Sequence, residues 1–226
     1  MPAYVQHVSQ DNAGGGATSP TTLTLNGTKA GNLICVMTYH QGNTSCTDNL
    51  PSDGANTYHA CPASSFIDLV NVISGKTSYA SAIAGGNVTI TCSWTGTDFY
   101  NAFFAFELSG CNRYDTGAIG NQQADPTSIS AGPFTTNFAS EIIVAYAWKD
   151  ATGYSAGYTG IEFTSPGVIA LEYQVLSSTG SQNPSVPLTG SSYYADMLAA
   201  AFYNSLPNPI TIVEAGAVTA APGSGW

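Results

Sequence analysis

Hydrolysis of a glycosidic bond takes two carboxylates facing one cleft, roughly 5 to 10 Å apart. Glu107, Glu141, Glu162 and Glu172 all fall in strand-like stretches of this 226-residue chain. If Thr164 to Gly167 forms a turn, Glu162 faces Ile169 and Glu172 faces Thr159, and the two carboxylates leave opposite sides of the sheet. Glu107 and Glu141 have more in common, because each stands on the weaker apolar face of its strand: Glu107 with Phe103 and Ala105, Glu141 with Ile143 and Ala145. Sharing one concave groove, they would be the acid pair of a glycoside hydrolase. Apart, they are solvated carboxylates at strand ends.

Asp48, Asp53 and Asn56 place several oxygen ligands on one turn, as calcium sites do. The spacing is not that of an EF-hand and no closing Glu follows, and Asx residues that bond their own backbone are the plainer account. His7, His40 and His59 could converge on a transition metal, yet they have no local ligand spacing. Apart from the calcium reading, no cofactor is expected. The five cysteines include no CxxC pair. Cys46 and Cys61 flank a turn-rich segment, and Cys92 and Cys111 bracket two strand candidates, so these are the preferred pairs if bridges form. Buried reduced thiols are the competing state. No G-x-S-x-G, P-loop or H-E-x-x-H is present.

The elements that must position these groups are strands. Helix signals are nearly absent, and short β-branched and aromatic runs recur between Gly, Asn, Ser and Pro clusters. The candidates are 4–8, 21–25, 33–39, 57–60, 66–72, 77–83, 88–94, 102–108, 142–148, 158–163, 168–176 and 193–203. The last, YYADMLAAAFY, is rich in helix formers, but at the end of a β protein it is expected to close a sheet. The stretch 110–140 reads as a long polar surface excursion. This spacing predicts an all-β, two-sheet antiparallel sandwich, jelly-roll-like, over 1–203, followed by a tail over 204–226. Ile210, Ile212 and Val213 make that tail apolar enough to add a strand to a neighbour's sheet edge, as an assembly arm.

Charged residues are 8% of the chain, and four basic residues stand against fourteen acidic ones, for a net charge of -10. Nucleic acid is excluded as a partner, since its recognition needs clustered cations, and so are anionic membrane surfaces. No apolar run approaches the roughly 20 residues of a membrane-spanning helix. Met1 to Pro20 has no Lys, Arg or apolar centre, so no signal peptide is expected there. A surface of Ser, Thr, Asn, Gln, Gly and Tyr suits an extracellular or virion location. Thirteen tyrosines could cover sheet edges, or stack on sugar rings, with Trp148, Tyr154 and Tyr158 as the platform.

The segments GTKAGNLICVMTY and Asp48 followed by Gly54-Ala55-Asn56-Thr57-Tyr58, with SYASAIAGGNVTITCSW, FELSG, ASEIIVAYA, AGYT and LEYQVLSSTG after them, carry a further reading. Over 2–203 the chain resembles a group of small bacterial and phage-associated β-sandwich proteins with TAGNLLVV-type and D..GNTY-type segments. The resemblance implies a lectin-like or jelly-roll domain of a surface or virion protein, with no invariant active site. The inserted Leu50 to Asp53 and the cysteines depart from that pattern. The expectation is a non-enzymatic structural or surface-display protein, a phage or phage-like virion component whose partners are itself or other virion or surface proteins. A carbohydrate-binding module recognising polysaccharide is the alternative, and a glycoside hydrolase using Glu107 and Glu141 stands behind it.

Overall fold

Alternating apolar side chains build strands from Ala3 to Tyr203 among the described residues. The computed structural model describes residues 1–12, 19–42, 44, 46–69, 71–123, 126–149, 151–163, 169–189 and 194–205, and among these residues there is no helix. The first half holds β1 (Ala3–Asp11), β2 (Thr21–Thr28), β3 (Leu33–Gly42), β4 (Thr47–Asp48), β5 (Tyr58–Asp68), β6 (Ile73–Ala80), β7 (Gly86–Cys92), β8 (Trp94–Thr95) and β9 (Asp98–Ser109). The second holds β10 (Arg113–Gln123), β11 (Ser128–Ser130), β12 (Phe134–Thr136), β13 (Glu141–Trp148), β14 (Thr159–Phe163), β15 (Ile169–Val175), β16 (Gly180–Gln182), β17 (Ser185–Pro187) and β18 (Tyr194–Tyr203).

Two five-stranded antiparallel sheets result, ordered β1-β9-β3-β6-β5 and β10-β18-β13-β15-β14. The fold is therefore an all-β sandwich. Its connectivity does not confirm the jelly-roll likeness, because the chain completes one sheet before it starts the other.

The two orders are one order used twice. Counted within its half, each sheet runs first strand, last strand, central strand, then a returning hairpin. The registers carry the equivalence to single residues: Leu33 lies opposite Leu108 as Ile142 lies opposite Phe202, and Tyr4 also faces Leu108 as Tyr114 faces Phe202. A register shift follows both tyrosines. Two residues before Leu33 and Ile142, Gly31 and Ser140 both take positive φ, 86° and 63°. Across the sandwich Tyr4 stacks on Tyr173 at 5.0 Å, and the matching pair, Tyr114 and Tyr79, stacks at 6.4 Å.

Alternation along each strand sorts the side chains into layers. Leu33, Cys35, Met37, Tyr39, Phe104, Phe106, Val144, Tyr146, Leu198 and Phe202 fill the space between the sheets. The opposite faces are covered as well. Leu23, Leu25, Val88 and Ile90 of the β2–β7 pair cover Ile34, Val36, Phe103 and Ala105. Ile129, Phe134 and Val186, from β11, β12 and β17, cover Ile143, Ala145, Ala199 and Ala201. This double cover is why every residue of β13 is buried. Each large apolar side chain so enclosed contributes about 1.5–3 kcal/mol.

The stretch expected to be a polar excursion is instead the edge strand β10, with β11 and β12 after it. Polar and glycine-rich, it pairs through its backbone with the alanine run of β18. A Cβ at Gly120 would strike the carbonyl of Ser130, so glycine is what lets β10 lie this close to β11. YYADMLAAAFY forms a strand from Tyr194, as expected. Helix propensity yields here because β18 pairs on both edges and is buried on both faces. Residues 206–226, with Ile210, Ile212 and Val213, and residues 164–168, with the expected turn Thr164 to Gly167, lie outside the described residues.

Candidate functional site

Ile34, Val36, Thr38 and His40 alternate onto the outer face of the first sheet, so the pattern that buries the first two also buries His40, which has no exposed surface. An imidazole taken out of water needs hydrogen-bond partners. His40 Nδ1 lies 2.7 Å from Asp98 Oδ2, and Nε2 lies 2.9 Å from Asp48 Oδ1. Asn101 Nδ2 donates to the same Asp98 oxygen at 2.9 Å. Trp94 and Phe103 pack on the ring, with centroids 4.9 and 5.4 Å away. Gly42 permits this convergence: a Cβ there would strike the Thr97 carbonyl and the Asp98 backbone, where β9 begins against the end of β3.

Burial works against a charged ring, but the two carboxylate hydrogen bonds outweigh it and hold His40 up at about 9. At neutral pH it is an imidazolium with both N–H groups donating, so it has no lone pair with which to act as a base. Cys46 is also buried there. Burial, with Asp98 and Asp48 nearby, pushes its thiol up to about 11, which leaves it protonated at neutral pH.

Beside this cluster a recess of about 420 Å³ opens, lined by Cys46, Asp48, Ser65, Phe66, Ile67, Ser74 and Lys76 among others. Lys76 Nζ donates to the main-chain oxygen of Asp48 at 2.9 Å, closing one side. The β5–β6 hairpin forms the lip, and its Ile67 and Leu69 are 50% and 74% exposed. Exposed apolar side chains beside a partly polar hollow offer area that a docking molecule could cover.

The glycosidase pair does not form. Glu107 and Glu141 are buried on the outer faces of different sheets, with both sheets between them, because each strand sends its even-numbered side chains into the shared core and its odd-numbered ones away from it. Glu107 accepts from Lys29 N and Asn32 Nδ2, each at 2.7 Å, and from Gln6 Nε2 at 2.6 Å. Glu141 accepts from Phe138 N at 2.7 Å, and burial, against that bond and with Asp115 adding to the rise, pushes its carboxyl up to about 7. Both are structural anchors where solvated ends were the other expectation.

Glu162 and Glu172 do face opposite ways, in a register different from the expected one: Glu162 pairs with Leu171 and Gly160 with Glu172 across a bulge. Glu162 meets His7 at 2.8 Å on the seam with β1, and Glu172 accepts from Ser155 N at 2.7 Å and from its hydroxyl.

The calcium set does not converge either. Asp53 accepts from the backbone of Ala55 and Asn56, from Asn56 Nδ2 and from the Tyr58 hydroxyl, a self-contained Asx turn, while Asp48 is held by His40. The three histidines have separate neighbours: His7 has Glu162, His40 its two aspartates, and His59 the ring of Tyr79. All five cysteines are buried and free. Cys46 and Cys92 pack outside the first sheet and Cys61 and Cys111 inside it, so each expected pair is divided by the sheet itself. The expected platform does not form from its three residues, since Trp148 is 4% exposed in the inter-sheet core while Tyr154 and Tyr158 pack on the opposite face of the second sheet.

The Asp48–His40–Asp98 cluster escaped sequence reasoning. Its signal was there in part, because His40 continues the apolar alternation of Ile34 and Val36, where a polar residue must be partnered. No protein-family model, no curated protein and no solved structure matches the chain.

Proposed function

We propose that this protein is a non-enzymatic structural module that works by assembling with further copies of itself, as a component of a virion or an exposed surface. The observation that carries the reading is the exposed apolar lip: Ile67, which lines the recess, and Leu69, two residues further along the chain. Its occupant is the segment Ile210 to Val213 of a second copy. Ser205 is pinned to Asn112 at 2.9 Å, at the pole where β18 ends. The recess lies at the other pole, level with the start of β18, where Tyr39 meets Trp148.

A ten-residue strand separates the two poles, roughly 30 Å at about 3.3 Å per residue. Fully extended, the chain from Leu206 to Val213 reaches at most about 28 Å, and it would also have to pass around the sheets. A copy's own segment would have to run fully extended around the sheets to meet its own recess, which favours a second copy and a head-to-tail contact, the kind that propagates into rings or filaments.

The dispersal of the acids into separate structural contacts supports the absence of hydrolytic chemistry from this reading. Size-exclusion chromatography with light scattering over a range of concentrations tests it. The full chain should grow with concentration and the Leu69→Asp variant should stay monomeric. A full chain that is monomeric throughout would overturn the reading.

A further inference from the structure

The geometry points to a metal site, built by His40, Asp98 and Cys46, for a zinc-like divalent ion. A ring nitrogen of His40, a carboxylate oxygen of Asp98 and the Cys46 sulfur all lie within 4.8 Å of one another. Nδ1 is the ring nitrogen that faces Asp98. One imidazole, one thiolate and one carboxylate make the mixed nitrogen, sulfur and oxygen set that suits borderline-soft zinc, and that calcium and magnesium do not favour.

The surrounding contacts are those that metal ligands need. Nε2 donates to Asp48, the carboxylate–histidine arrangement that fixes the tautomer and orientation of a ligating ring, and Asn101 Nδ2 holds Asp98. Two carboxylates, with side chains 5% and 4% exposed, stand against the single charge of His40, so the cluster carries surplus negative charge in a nearly dry place. Lys76, also beside Asp48, bonds its main-chain oxygen and leaves the carboxylate to His40. Cys46 and Asp48 both line the recess, which gives an ion a way in and leaves a fourth position open on that side.

Binding exchanges two protons for the ion. The Nδ1 proton and the Cys46 thiol proton leave, a dative bond forms from each of nitrogen, sulfur and the Asp98 oxygen, and nothing is oxidised or reduced. The site belongs to the first half alone: in the matching register of the second half, Lys149 stands where His40 stands, and a cation there repels an ion.

Cobalt(II) is the probe, added to the purified full chain after treatment with a chelator. A single equivalent should bind and give a thiolate-to-cobalt charge-transfer band in the near ultraviolet, and zinc should bleach it. Cys46→Ser should remove the band and Cys92→Ser should leave it intact. Asp48→Asn should weaken binding about 10–100-fold. A folded wild-type chain with no band in excess cobalt, or a band that survives Cys46→Ser, or one that is lost only with Cys92→Ser, would overturn the assignment. This readout does not depend on assembly, so it stands or fails separately from the proposed function.

Discussion

Tyr39 and Trp148 stack face to face across the two sheets, with ring centroids 4.6 Å apart and planes 22° from parallel. They occupy equivalent positions in the two halves, since Tyr39 pairs with Ala102 as Trp148 pairs with Asp196. A contact between equivalent residues sits on the axis that relates the halves, so this stack is where the repeated motif meets itself.

Trp148→Ala should cost about 3–5 kcal/mol of stability, the usual range for emptying an aromatic site in a closed core. Chemical denaturation followed by circular dichroism checks it. A loss under about 1 kcal/mol would place the ring at the surface, where a sugar platform would need it.

Glu107→Ala should destabilise the chain by about 1–3 kcal/mol, because it removes the acceptor that Lys29 N, Asn32 Nδ2 and Gln6 Nε2 share. Glu107→Gln keeps the shape and one acceptor, and should lose less. Equal midpoints for wild type and Glu107→Ala would mean that the carboxylate is solvated and not an anchor.

Asp196 gives the protein an inverted pH response. It is fully buried, with neither carboxylate oxygen hydrogen-bonded, and burial, with Asp68 adding to the effect, raises it from 3.8 to about 7. The folded chain keeps a proton that the unfolded chain has already released, so this contribution is whole below about pH 4 and is lost as pH climbs through 7. The other groups facing it are Tyr146 and Trp148. The thermal midpoint should fall across that window, and Asp196→Asn should flatten the fall. An identical slope in wild type and variant would contradict it.

The five thiols are buried and unpaired, and burial is the first cause of raised pKa values in all of them, about 12 in Cys92 and Cys111. A folded sample should be inert to a thiol reagent at Cys35, Cys61, Cys92 and Cys111 and react at all five positions on unfolding, and a reductant should leave its thermal midpoint unchanged. A midpoint lowered by reductant would reveal a bridge.

Period-two alternation made the central strands legible, because β3, β9 and β13 are long, apolar and β-branched or aromatic. It could not separate strands buried on one face from strands buried on two: β13 is apolar at every position, and which face meets the other sheet is set by partners far along the chain. β10 was missed for the opposite reason. Its pairing rests on backbone and glycine, and neither leaves a hydropathic mark. The site was hidden by distance in sequence, since His40, Asp48 and Asp98 meet through a glycine contact at Gly42 that no local motif announces. The glutamates misled because alternation assigns a face to a strand without saying which layer that face enters.

Head-to-tail assembly has a direct test in mixing two chains that each lack one half of the contact. Leu69→Asp retains the segment Ile210 to Val213 but has a spoiled lip, and a chain ending at Ser205 retains the lip but has no segment. Sedimentation velocity should show each alone as a monomer and the equimolar mixture as a one-to-one complex. A mixture that stays monomeric, or either chain assembling by itself, would contradict the account.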